Sequence, residues 1–140
     1  RRLGDQRLQA LCRLNRAEVL LATQRYDAAW DEAEAAQAIF SQIGSVVEEA
    51  DVFRVLGAIF RQIGRLGMAE ANLLAAIQHA RSTSSPLTEA EGLRELAMLR
   101  IDQDREPEAV TALERAAELF RSIGAQADLA DVESRIAALV

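Results

Sequence analysis

Few of the 140 residues belong to the types that carry reaction chemistry. There is one histidine, His79, and one cysteine, Cys12. A protein metal site needs three or four ligands, and neither residue has a companion of its kind. A single cysteine also excludes an internal disulfide. With helical periodicity around it, Cys12 is expected as a small, half-buried residue, and His79 as a solvent-edge residue near a helix C-terminus. The paired acids Glu48-Glu49 and the nearby Glu89 and Glu91 read as helix first-turn charges, which the helix dipole favours. No glycine-rich phosphate loop follows a strand, and nothing points to a Ser-His-Asp set. The expectation is therefore no enzyme, no cofactor and no metal. Polar contact chemistry is plentiful instead: 22 acidic residues face 16 basic ones, and every basic residue is arginine. The absence of lysine reads as the composition of a GC-rich genome rather than a demand for sixteen guanidinium forks.

These charges must be positioned by something regular, and the chain repeats every forty residues. Arg25, Arg65 and Arg105 fall in register, as do Ala29, Ala69 and Ala109, and Ala36, Ala76 and Ala116. FSQIG at Phe40–Gly44 returns as FRSIG at Phe120–Gly124, and Ala50-Asp51-Val52 returns as Ala130-Asp131-Val132. Repeats of this length are stacked helical pairs. The first helix is expected over 3–22, where Leu3, Ala10, Leu14, Ala17 and Leu21 make one apolar stripe. The second is expected from Tyr26 to Ile43, stopped by Gly44. Ser45 with Glu48 three residues later is a capping-box signature for a third helix over 46–62. Gly64-Arg65-Leu66-Gly67 is expected as a turn, and Met68–Arg81 as the fourth helix. The fifth and sixth open at Pro86 and Pro107, where the missing N–H costs nothing. They end near Ile101 and Gly124, and a final helix covers 126–139. No stretch alternates with period two over strand length. The expected fold is all-α: one domain over 1–140, with repeats at 3–44, 45–84 and 85–124 and a last single helix.

Composition narrows the partners. Half the residues are apolar, which suits a packed chain, and the net charge is −6 with a pI near 4.9. Nucleic acid and an anionic membrane surface both call for a basic face. No apolar run approaches the roughly 20 residues that cross a bilayer. The chain opens on Arg1-Arg2 and stops inside a helical pattern, so it reads as a piece of a longer, cytoplasmic protein.

Each helix pair resembles a tetratricopeptide repeat. In the middle pair Phe53, Leu56, Gly57 and Phe60 occupy the family's first-helix positions, and Ala69, Leu73 and Ala76 those of the second helix. Leu93, Leu96, Ala97, Ala109, Leu113 and Ala116 match in the third pair; Ala17, Leu20, Ala29, Ala33 and Ala36 match in the first. The departures are specific. Arg100 stands where an aromatic is usual, and Arg13 and Arg16 take two large apolar positions. Ser41, Arg81 and Arg121 replace the usual proline, and the period is forty rather than the family's thirty-four. Tyr26 matches a packing position at the turn, whereas Trp30 has no counterpart in register; it either covers the N-terminal end or is an exposed contact residue, and packing is the preferred expectation.

The resemblance implies a right-handed solenoid whose concave groove is lined by the first helix of each pair. Groove-facing positions would be Asp51, Arg54, Ala58 and Arg61; then Glu91, Arg94, Met98 and Ile101; with Leu11, Leu14, Glu18 and Leu21 before them and Asp131 and Ser134 after. Two ladders follow, acidic through Asp51, Glu91 and Asp131, and basic through Arg54 and Arg94. Either they neutralise one another, or they grip a peptide with arginines on carboxylates or carbonyls. Ala58 and Met98 stand where chaperone-binding members carry the asparagine of a carboxylate clamp, so that clamp is not supported. The implied function is a scaffold binding a protein or peptide. The alternatives are a regulatory sensor segment of a bacterial signalling or transcription protein, and a homo-oligomer joined through the terminal helices.

Overall fold

The computed structural model describes residues 2–140; Arg1 lies outside them. Among the described residues there are seven helices and no strand: α1 Arg2–Ala22, α2 Tyr26–Ile43, α3 Val46–Gln62, α4 Leu66–Ser82, α5 Pro86–Asp102, α6 Glu106–Ser122 and α7 Gln126–Leu139. No described helix is long and apolar enough to cross a membrane. The expected turn at 64–67 is shorter than its two glycines suggest. Leu66 already begins α4, and Gly67 lies inside the helix.

The six connections share one construction. A residue in the left-handed region stands at every twentieth position: Gln24, Gly44, Gly64, Ser84, Asp104 and Gly124, with φ from 52° to 81°. After each, the next N–H reaches back five residues, as Arg65 does to the Phe60 carbonyl at 2.9 Å and Ser85 to the Ala80 carbonyl at 2.8 Å. This closure satisfies carbonyls that a helix end would leave orphaned. Glycine takes the conformation at no steric cost, so Gly44, Gly64 and Gly124 were legible as stops. Gln24, Ser84 and Asp104 take it with a Cβ, held there by the helices on either side.

Each helix packs on the next, and α3 also touches α1 and α5, so the layers stack as a helical solenoid. Small residues set the spacing. Ala17, Ala29, Ala33, Ala36, Ala69, Ala76, Ala97, Ala109 and Ala116 have no exposed surface. Gly57 presses directly on α4: a Cβ there would lie 2.6 Å from Cγ and Cδ2 of Leu73. Gly92 does the same between pairs, with a Cβ 3.0 Å from Cγ1 of Ile77. Large side chains, among them Phe40, Phe120, Ile59, Leu73 and Leu113, fill the space between layers. Two expectations for α1 fail. Leu3 is 63% exposed and no part of the stripe, and Cys12 is exposed rather than half-buried. Both lie on α1 where none of the described helices covers them.

The departures from the repeat pattern resolve into local exchanges. Arg13 and Arg16 both reach Glu32 of α2, each at 3.0 Å, so the end pair joins through a fork of ion pairs where later pairs use apolar contacts. Trp30 packs, but against α3 of the next pair and not over the N-terminal end: it lies edge-on to Phe60 with ring centroids 5.0 Å apart. Forty residues on, the same two positions hold Glu70 and Arg100, and these form an ion pair. An aromatic contact between α2 and α3 has become an electrostatic one between α4 and α5. The capping box is not closed in the expected way. The Ser45 hydroxyl donates to the Glu48 carboxylate instead of accepting from the Glu48 backbone N–H, and no side-chain cap bond is made at α3. Arg7 of α1 also pairs with Glu48.

Candidate functional site

Side chains at 51, 54, 58 and 61 lie on one face of α3 because three- and four-residue steps return to the same side of a helix. The register places Glu91, Arg94, Met98 and Ile101 on the same face of α5, and Asp131 on α7. Ion pairs tie these faces together. Arg54 reaches Glu18 of α1 at 2.7 Å, Asp51 at 3.5 Å and Glu91 of α5 at 3.9 Å. One repeat later Arg94 reaches Asp128 at 2.9 Å and Asp131 at 3.4 Å on α7. Arg54 to Glu91 and Arg94 to Asp131 are the same contact in successive repeats. Asp51 also accepts a bond from the Thr88 hydroxyl at 3.3 Å, and Arg135 pairs with Asp131 at 3.0 Å. Each acid of the ladder thus has an arginine, and the two ladders bond to each other.

The remaining predicted residues are placed differently. Arg61 turns toward Asp102 at 3.1 Å and Glu95 at 3.7 Å. Met98 is half-buried and its sulfur accepts a bond from Arg135 at 3.1 Å. Ile101 packs partly buried against the core and so offers less apolar surface than a free anchor would.

Burial shapes the electrostatics of this face. Desolvation pushes the Glu91 carboxyl above its ordinary value, helped by Asp51; Arg54 opposes the shift without reversing it. For Arg54 burial works against the charge, but Glu91, Glu18 and Asp51 together outweigh it and raise its pKa. The cation is therefore firmly held, and Glu91 is the weak member of the set.

Three buried polar atoms on this face have no hydrogen-bond partner: Nε of Arg54, Nε of Arg61 and Oε2 of Glu95. The last two face each other at 3.7 Å, inside ion-pair range and outside hydrogen-bond range. Beside them a cleft of about 240 Å³ opens between Leu21, Tyr26, Ala58, Arg61, Gln62 and Glu95. The sequence reading did not single out Glu95. Its signal is the register: the same position in α3 is Val55, which has no exposed surface, so a carboxylate there is out of place.

Elsewhere, His79 lies over the Phe53 ring, centroids 5.2 Å apart. Among the described residues no group of three or more His, Cys, Asp or Glu side chains is arranged to hold a metal ion. Compared with known proteins, the chain matches no family model, no curated protein and no solved structure.

Proposed function

We propose that the chain is a tetratricopeptide-type scaffold that binds an extended protein or peptide segment along the face shared by α1, α3, α5 and α7. The observation that supports this is the set of unpartnered buried atoms beside the cleft. Both atoms lack exposed surface as they stand, so the two side chains would turn into the cleft to meet a peptide backbone, a carbonyl for the Arg61 Nε–H and an N–H for the Glu95 carboxylate. Leaving such a group unmatched costs about 1–3 kcal/mol, so a strand that matched them would gain on binding. Arg54 and Arg94 would orient its carbonyls or carboxylates through charge-assisted bonds. The test is selection of a random peptide library on the intact protein, followed by affinity measurement on variants. Glu95→Ala, and separately Arg54→Ala with Arg94→Ala, should weaken the selected peptides about tenfold or more while circular dichroism shows the helices retained. Unchanged affinity in both variants rejects this reading.

Self-association is the second reading, and α1 favours it. Val19 is 62% exposed, although Ile59 and Leu99 in the same register are buried. Cys12 is exposed where α3 buries Val52. Light scattering over a concentration range, repeated with Val19→Glu, separates a dimer that this face holds from a monomer.

A further inference from the structure

We propose that the segment bound along the face of α1, α3, α5 and α7 is basic: an extended chain whose lysine or arginine side chains meet carboxylates of α3, α5 and α7. This rests on the peptide-binding function proposed above and names the partner's chemistry. The ion pairs of the face are unbalanced. Arg54 is shared by Glu18, Asp51 and Glu91, Arg61 by Glu95 and Asp102, and Arg94 by Asp128 and Asp131. Arg135 joins the set at Asp131. Seven acids thus share four arginines, an excess of three negative charges in a chain whose net charge is −6.

The arginines also lie beneath the acids. The side chains of Arg54, Arg61 and Arg94 are 15–23% exposed, and those of their seven partners 29–42%. At three pairs away from this face the order is the reverse. Arg7, Arg16 and Arg81 are each more than half exposed, over Glu48, Glu32 and Glu89, which are at most 15% exposed. A group that approaches the face therefore meets carboxylates first. A peptide carboxylate is repelled before it reaches a guanidinium whose donors are already engaged. A peptide cation meets acids that hold only a share of an arginine.

The acids are short of positive charge and of donors. Burial raises the Glu91 carboxyl, Arg54 lowers it, and Asp51 and Glu18 raise it again, so the group stays above its ordinary value. A cation beside it offsets the repulsion among these three acids. Oε2 of Glu95 is buried without a hydrogen-bond donor. With Glu95 turned into the cleft, an ammonium group supplies that donor, and its aliphatic stem lies along Leu21, Ala22 and Ala58. The spacing also fits. Packed helices lie about 8–10 Å apart, and α3 is in direct contact with α5. A polyproline II chain brings every third side chain to one side at intervals of about 9 Å. Basic residues at every third position then follow the row Asp51, Glu91 and Asp131.

The probes are peptides of three Lys-Ala-Pro repeats, with Glu-Ala-Pro and Gln-Ala-Pro peptides as the acidic and neutral counterparts. Each is titrated into the whole chain and followed by amide chemical shifts. Saturable shifts at Ala58, Met98 and Ser134 are expected with the lysine peptide, binding about tenfold or more weaker with the glutamine peptide, and none with the glutamate peptide. Affinity should fall between about 0.1 M and about 1 M salt, as the Debye length shrinks from about 10 Å to about 3 Å. Asp51→Asn with Asp131→Asn should weaken the lysine peptide about tenfold, at about threefold for each part-exposed charge. Glu108→Gln with Glu118→Gln removes the same charge elsewhere and should leave the affinity unchanged. Melting curves identify a variant that has lost its fold, and Glu18→Gln with Asp128→Asn repeats the test on two other acids of the face. The proposal is overturned if the glutamine or glutamate peptide binds as tightly as the lysine peptide, if salt has no effect, or if the control pair weakens binding as much as the face pair. Spermidine should bind far more weakly than the peptide; equal affinity would make the partner a small polycation and overturn the proposal. In selection from the random library, neutral or acidic binders on this face would overturn the basic segment and leave peptide binding standing, whereas the absence of any binder would reject both.

Discussion

Replacing Gly57 with alanine sets two physical effects against each other. In a helix interior alanine is favoured over glycine by about 1 kcal/mol. Here the new methyl would stand 2.6 Å from two carbons of Leu73 and 3.3 Å from its backbone nitrogen. Leu73 has no exposed surface and cannot swing into solvent. Overpacking of this kind costs about 1–3 kcal/mol, and contact with a branched carbon and a backbone atom places it near the upper end. The net expectation is a loss of about 2 kcal/mol. With an unfolding entropy of about 2.1 cal/mol/K per residue, a 140-residue chain then melts about 7 °C lower. Relief is limited but real, because α5 carries Ala97 in the same register and α6 carries Leu113, so a wider pair is compatible with the fold. Urea titration and thermal melts followed by circular dichroism measure the loss. Gly67→Ala is the control: it is helical with nothing within 4 Å of its Cβ, and it should be neutral or gain up to about 1 kcal/mol. Gly57→Ala combined with Leu73→Ala should cost less than the sum of the two, since the added methyl enters the space that leucine vacates. If Gly57→Ala proves neutral, or stabilises as Gly67→Ala does, the contact with Leu73 does not set the α3–α4 distance.

The turns and the titrating acids give further tests. Ser84 is held at φ 52°. Ser84→Gly removes a steric cost of about 1–2 kcal/mol and adds about 0.4–1 kcal/mol of unfolded-state entropy, so a gain of about 0.5–1 kcal/mol is expected in urea titration. Gly44→Ala, at φ 72°, should lose a comparable amount. Glu48 and Glu91 should respond to pH with opposite signs. Burial alone would raise Glu48, but bonds from Ser45 and Arg7 outweigh it and hold its pKa below 4.5. Its stabilisation is present above that value and is lost as pH falls through the lowered one, so Glu48→Gln should be less stable than the parent at pH 7 and converge with it in acid. Burial raises Glu91 above 4.5. Its folded form binds the proton more tightly than the unfolded chain, so its contribution declines as pH rises through the raised value. Glu91→Gln should therefore equal or exceed the parent in stability at pH 7, with the parent gaining on it as the medium is acidified.

The period of forty, the seven helices and the small-residue stripe were legible in the sequence because they follow from local rules. A helix returns each side chain to its face every three or four residues, and a layer that must pack on its neighbour repeats its alanines in step. Gly57 and Ala76 could be assigned to close packing on that basis, and the arginine and acid ladders could be assigned to one face. Which of the charges meet was decided only in three dimensions. Arg54 chooses Glu18, Asp51 and Glu91, while Arg94, with Ala58 in the register of Glu18, turns to α7 instead. That choice depends on ångström differences in the reach between helices some 36 residues apart. The breaks between helices at Gln24, Ser84 and Asp104 were legible but their left-handed conformation was not, since the flanking helices impose a conformation those residues do not prefer. Cys12 and Leu3 carry the same local pattern as buried residues but lie on α1 where none of the described helices covers them.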